Sequence, residues 1–136
     1  MKKILTKFVS AAVALAIVIA VSWYAIRGDF MRVSKVCQRW GEQPLDIVAF
    51  KSSENDESVR ARMACSLLKH QDEYIGMHRL EVLSQFGNAT GYYYSELPPT
   101  YLIETARTRD QDSWQILFRI NKSGEVTEIV VHKNCC

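Results

Sequence analysis

Cys65 and His70 are the first residues whose types could do chemistry together, as a thiolate nucleophile and its base. On a helix, five positions turn about 140°, so the two side chains diverge instead of sharing a proton. A disulfide cysteine and a packed or surface histidine are expected. The run His132-Lys133-Asn134-Cys135-Cys136 gathers soft ligands. It offers three at most, and oxidation of the thiols removes two, so no metal site is expected. Glu96, Glu104, Asp110 and Asp112 are acidic groups near strands or loops. Acid–base catalysis needs two carboxylates held at a defined separation around a pocket, and no motif fixes such a pair here. Asp110 and Asp112 are expected in a solvated loop. The sequence has no phosphate-cradling glycine loop, no Gly-x-Ser-x-Gly and no His-Glu-x-x-His. The expectation is a protein without catalysis, cofactor or metal.

The aromatic residues carry a different chemistry. Tyr92, Tyr93 and Tyr94, with Tyr101 and Trp114, lie close to Arg107 and Arg109. Aromatic rings and arginine are enriched at protein interfaces. The tyrosines and the two arginines are therefore the candidate protein-binding surface, on the uncovered face of a sheet and its neighbouring loops. The competing reading has the rings filling the core or bracing the Pro98-Pro99 turn, as aromatics on strands commonly do.

These residues need elements to position them. Ser52 or Ser53 opens a first helix of four to five turns, with Glu54, Asp56 and Glu57 at its positive end. Val59, Met63 and Leu67 recur every four residues, Ala64 and Leu68 widen the stripe, and Arg60, Arg62 and Lys69 lie off it. Cys65 points away from the stripe's centre, towards whatever lies over the helix: the Cys37 segment or the C-terminus. A shorter helix is predicted over 77–86, with Leu80 and Leu83 inward, Val82 and Phe86 at the flank, and Gly87-Asn88 ending it. Strands follow over 101–106, 114–120 and 126–132, with a polar hairpin loop at 107–113 and a turn at 121–124. The apolar order in the last strand shifts phase once, which predicts a bulge or a two-sided end. A short extra strand at 92–94 is compatible with the pattern. The plan is α+β: two N-terminal helices packed on a three-stranded antiparallel sheet, preceded by one transmembrane or signal helix.

That preceding helix sets the compartment. Residues 8–26 carry no charge and span about 28 Å as a helix, near the thickness of a bilayer's hydrocarbon. Lys2, Lys3 and Lys7 favour a cytoplasmic start, and Trp23 and Tyr24 suit the headgroup region. A cleaved signal peptide is the rival, with Ala20-Val21-Ser22 as the small-x-small site. Both readings export the rest of the chain. The expected divisions are an anchor or signal at 1–27, a juxtamembrane segment at 28–51 and the α+β domain at 52–136. Trp40, Leu45, Ile47, Val48 and Phe50 allow the middle segment to pack on the domain. Three of the 17 basic residues precede the apolar run, which leaves 14 basic against 15 acidic from Arg27 onward. A nucleic-acid partner is not expected of a domain without a basic surface. In an oxidising compartment Cys37, Cys65, Cys135 and Cys136 form disulfides. Cys37 or Cys65 with one of the C-terminal pair, and Cys37 with Cys65, are the open pairings, since adjacent cysteines seldom reach disulfide geometry.

The run Tyr74-Ile75-Gly76-Met77-His78-Arg79-Leu80-Glu81-Val82-Leu83-Ser84-Gln85-Phe86-Gly87 resembles the Gly-flanked helix of the SmpA/OmlA family of small envelope proteins, which shares the fold of the β-lactamase inhibitor protein. Trp114 opening a strand, and Phe118 leading through Asn121 and Gly124 to Val126, are similar to that family's hairpin. Trp40, Phe50-Lys51, Arg60-x-x-Met63 and Leu67-Leu68 resemble a pattern common in bacterial lipoproteins of this type. Ala89 stands where the family usually has Pro, and no Cys follows the apolar run for lipidation. The resemblance implies a two-helix, three-strand protein-binding domain whose relatives assist outer-membrane assembly or inhibit an enzyme by docking on it. The resulting expectation is a single-pass protein of the bacterial inner membrane with its C-terminal domain in the periplasm, or a periplasmic protein if the leader is cleaved, binding a protein partner of the envelope. An inhibitor or immunity protein acting on an exported enzyme is the alternative.

Overall fold

The computed structural model describes residues 2–95 and 97–134, without the side chains of Lys2 and of residues 23–28. Glu96, Cys135 and Cys136, and the side chains of Trp23 and Tyr24, lie outside what is described. The chain divides between Phe30 and Met31 into two units. The first is a long helix, α1 (Lys2–Gly28), with no acidic residue in its first turn. Its Lys3–Ser22 stretch is long and apolar enough to cross a membrane, and none of it is buried within the protein. A signal or an anchor are both consistent with it.

The second unit is α+β as expected, but with four helices where two were expected and an antiparallel sheet of four strands where three were expected. The two-residue β1 (Phe30–Met31) lies at the division itself, and after it come α2 (Val33–Trp40), α3 (Ile47–Ser52), α4 (Glu57–Lys69) and, beyond a 3-10 turn, α5 (Arg79–Phe86). Strands β2 (Thr100–Glu104), β3 (Trp114–Ile120) and β4 (Val126–Lys133) complete a sheet of order β1-β4-β3-β2. The segment from Met31 to residue 51 is thus part of the folded unit. Val33, Val36, Cys37 and Trp40 recur at helical spacing, and all four pack on the core. Gly41, at φ +83°, ends that helix in a backbone conformation that favours glycine. Asp46 caps α3 by accepting from the Ala49 amide at 3.0 Å.

Asp56, and not Ser52 or Ser53, caps α4, accepting from the Ser58 amide at 3.1 Å. The earlier serines are taken by α3 and its end, which the sequence pattern did not separate from the α4 start. Helix α4 is covered on more than its apolar stripe: Arg60, Cys65 and Ser66 are buried with Met63, Ala64, Leu67 and Leu68. The disulfide Cys37–Cys65 joins α2 to α4 across 28 residues. A loop of this length contributes about 3 kcal/mol in the chain-entropy picture. Of the open pairings this is the one observed, and it indicates an oxidising compartment.

Burial of Arg60 was not expected from its place off the stripe. Desolvation lowers its pKa, and among the described residues its Nε has no hydrogen-bond partner. The buried face of α5 is also turned from the expected one. Val82 and Phe86 are inside, while Leu80 is 59% exposed. Phe86 explains the turn. Its ring meets Phe50, Tyr74 and Phe118 with centroids 5.2, 5.3 and 5.1 Å away, at the middle of an aromatic core. Gly87 then ends the helix at φ +91°.

In the sheet, β3 pairs with β4 through Ile116↔Val131 and Phe118↔Ile129, all facing the helices. The register slips where Arg119↔Glu128 is followed by Ile120↔Val126. This is the bulge that the phase shift in the last strand predicts.

Candidate functional site

The second face of the sheet is not bare. Residues 90–93 fold back across it. The Thr90 and Gly91 amides both donate to the Thr100 carbonyl, at 2.9 and 3.1 Å. The Gln115 side chain, fully buried, accepts from the Tyr92 amide at 3.0 Å and donates to the Tyr92 carbonyl at 2.7 Å. One glutamine amide thus satisfies both polar groups of Tyr92, as a neighbouring strand would. The approach is close enough to require glycine: a Cβ on Gly91 would lie 2.2 Å from Gln115 Oε1 and 3.2 Å from the Thr100 side chain.

The tyrosines separate once this clamp is in place. Tyr93 is half-buried and meets the His132 ring edge-on at 4.9 Å and the Tyr94 ring at 4.8 Å. Tyr92 is 50% and Tyr94 76% exposed, and Leu97, three residues further along the chain, is 59% exposed. Tyr94 has φ +52°, the one non-glycine residue with positive φ among those described. That conformation costs a tyrosine about 1 kcal/mol or more. In place of the compatible extra strand there is a single bridge, Tyr93↔Ser95, inside the loop.

Tyr101 does not belong to this surface. It is fully buried on the helix side, against Phe50 at 5.3 Å, with its hydroxyl donating to the Gly87 carbonyl at 2.9 Å. Strand alternation decides this, since Tyr101↔Ile116 face the core while Leu102↔Gln115 face the loop. Burial raises its pKa. Trp114 is buried as well, so for these two rings the core reading is the one observed.

Arg107 and Arg109 are exposed in the β2–β3 loop, at the end of the sheet that the tyrosine clamp also occupies. A polar cleft of about 500 Å³ opens there, lined by Arg39, Glu104, Thr105, Arg107, Asp112 and Trp114. Glu104 is not a free acid. It is ion-paired with Arg39 and accepts from Trp40 Nε1 at 2.8 Å. The Arg39 hydrogen bond, helped by Trp40, holds its carboxyl below the usual range, and Glu104 in turn raises the Arg39 pKa. Asp112 pairs with Lys133 at 3.2 Å, and the Lys133 ammonium lies 5.9 Å from the Trp114 ring centroid.

The other chemical candidates are dispersed. Cys65 is bonded to Cys37, and His70 Nδ1 lies 2.9 Å from the Ser66 carbonyl. His132 is buried beneath Tyr93. No group of three or more His, Cys, Asp or Glu suited to a metal ion occurs among the described residues. Sequence reasoning missed Gln115 and Gly91. A polar side chain inside the strongest strand and a glycine just before the tyrosines were the available signals. No family model, curated protein or solved structure matches the chain. The likeness to the SmpA/OmlA family therefore rests on the short motifs that suggested it.

Proposed function

We propose that this chain is a protein-interaction module of the bacterial cell envelope, anchored in the inner membrane through residues 8–26 with its α+β unit on the periplasmic side. It works by binding and carries out no reaction. The observation that carries this reading is Tyr94, held in a left-handed conformation with three quarters of its surface in solvent, close in sequence to exposed Tyr92 and Leu97. Strained backbone that displays a large apolar ring is costly for the free protein, and such cost is commonly kept where a partner uses it. The clamp from Gln115 fixes the loop before binding, which reduces the ordering cost of association. The apolar α1, the disulfide and the SmpA/OmlA-like motifs support the location and the binding role.

The test is crosslinking capture from envelope extract by the full chain in detergent, under non-reducing conditions. Wild type is compared with the Tyr92→Ala/Tyr94→Ala double variant. Hot-spot tyrosines lose about 30-fold or more in affinity on truncation. Loss of a specific captured protein in the double variant is the expected result. Equal capture by both would remove the tyrosine loop from the interface. A single exported hydrolase as the captured protein would make the chain an inhibitor or immunity protein, and outer-membrane assembly components would make it a scaffold.

A further inference from the structure

We infer that the cleft between the α2–α3 connection and the C-terminal end of α4 binds a small organic cation, an ammonium carried on an apolar stem. The cleft holds about 530 Å³, and ligand pockets run from roughly 300 to 1,000 Å³. One wall is segment 42–47, fixed against α4 by its own hydrogen bonds. The Gln43 amide donates to the Arg62 carbonyl at 2.9 Å, and the Ser66 hydroxyl donates to the Gln43 carbonyl at 2.7 Å. The other is the end of the 3-10 turn Gln71–Glu73 with Tyr74 after it. The walls are held by the fold itself, so the cleft exists before a ligand arrives. Half-buried Leu45 and Ile47, with the Tyr74 ring, give it an apolar lining.

Its charge and open lone pairs favour a cation. Glu73 is exposed and makes no ion pair among the described residues. His70 Nδ1 lies 2.9 Å from the Ser66 carbonyl, which can only accept, so Nδ1 carries the proton and Nε2 of the neutral ring keeps a lone pair. Helix α4 ends here, and the carbonyl end of its dipole adds partial negative charge. Glu42 also lines the cleft, but Lys69 holds it in an ion pair at 2.6 Å, so it adds no net charge.

Tyr74 points to an occupant. It is 8% exposed, yet its hydroxyl has no hydrogen-bond partner among the described residues. Burial first, and then the Glu73 charge, raise its pKa, so the hydroxyl stays neutral. A hydroxyl so enclosed ordinarily finds a partner, and an ammonium offers three donors and no acceptor. A cation whose nitrogen reaches Glu73 and the Tyr74 hydroxyl satisfies both, with its stem on Leu45 and Ile47. An anion would meet the Glu73 charge and the helix end, and an apolar molecule would leave the hydroxyl as it is.

The cleft belongs to the helix layer, so this inference does not depend on what the tyrosine loop binds. The isotope-labelled full chain in nonionic detergent is titrated with phenethylamine in slightly alkaline buffer, and its amide resonances are followed. Saturable shifts confined to residues 42–47 and 66–74 are expected. The neutral analogue phenylethanol and the anionic phenylacetate bind about tenfold more weakly or worse. E73Q weakens phenethylamine binding by about tenfold, and Y74F, which removes only the hydroxyl, by about threefold. K69M releases Glu42 from its ion pair and strengthens binding by about threefold. The blocked amino acid Nα-acetyl-lysine methylamide presents the same ammonium as a protein side chain does. Tighter binding of it than of phenethylamine assigns the cation to a partner protein, and weaker binding assigns it to a small molecule. Equal affinity for the amine and the alcohol overturns the inference. So does an E73Q variant that binds unchanged, or shifts that fall elsewhere in the chain.

Discussion

The two faces of the sheet are built on different principles. Towards the helices, Tyr101, Ile116, Phe118, Ile129 and Val131 meet Phe50 and Phe86 in an apolar core, and each ring touches at least two others. Towards residues 90–93, the contact is a set of directed hydrogen bonds centred on Gln115, with Tyr93 on His132 beside it. The first face distributes its stability over many contacts of about 0.1–0.2 kcal/mol per atom pair. The second concentrates it in a few polar groups that are expensive to leave unsatisfied. The helix face therefore determines whether the unit folds, and the loop face determines how the tyrosines are held.

The largest effect that could break this contrast comes from Phe86→Ala. A cavity at the centre of the aromatic cluster is expected to cost about 3–5 kcal/mol. Urea unfolding followed by tryptophan fluorescence measures it. A loss under 1 kcal/mol would mean that the rings around Phe86 close over the gap, and that the helix side is no more continuous than the loop side.

Gln115→Ala is expected to cost about 1–3 kcal/mol, because the Tyr92 amide and carbonyl lose the hydrogen bonds that tie them to the sheet. Hydrogen exchange should rise at the Tyr92, Thr90 and Gly91 amides, while Phe118 keeps its protection relative to global unfolding. Should Phe118 exchange faster in step with Tyr92, the two faces would form one cooperative unit and the division between them would fail.

What was legible in the sequence follows the same division. The helix-side core rests on apolar repetition, and periodicity finds that. β3 and β4, the hairpin at 121–124, the bulge and the apolar α1 were all foreseen. Helices α2 and α3 were only a segment able to pack, because Gly41 and Pro44 interrupt runs of eight and six residues. Such short runs give few periods to count. Aromatic composition groups Tyr101 with the exposed tyrosines, but alternation along β2 turns it to the core. The loop-side clamp was illegible for a different reason. It depends on Gln115 meeting a backbone 23 residues away, and neither hydropathy nor local propensity encodes such a bond. For the same reason the tyrosines were found as residues, while what holds two of them outward was not.

The smallest expected effect sharpens the comparison most. At φ +52°, Tyr94 sits where a side chain meets the backbone and glycine does not. Tyr94→Gly and Tyr94→Ala both delete the ring and its 4.8 Å contact with Tyr93, so their difference isolates the backbone. In an ordinary extended or helical conformation, glycine would be the less stable variant by about 0.5–1 kcal/mol. In the left-handed one the order reverses, and Tyr94→Gly is expected to be more stable than Tyr94→Ala by about 1 kcal/mol. Urea midpoints at equal m-value give the sign. If alanine proves the more stable, the loop relaxes out of its strained turn, the display of Tyr92 and Tyr94 is not preorganised, and binding must carry the full cost of ordering them. If glycine does, the clamp on the loop face holds against the strain, which is the property a prepared docking loop needs.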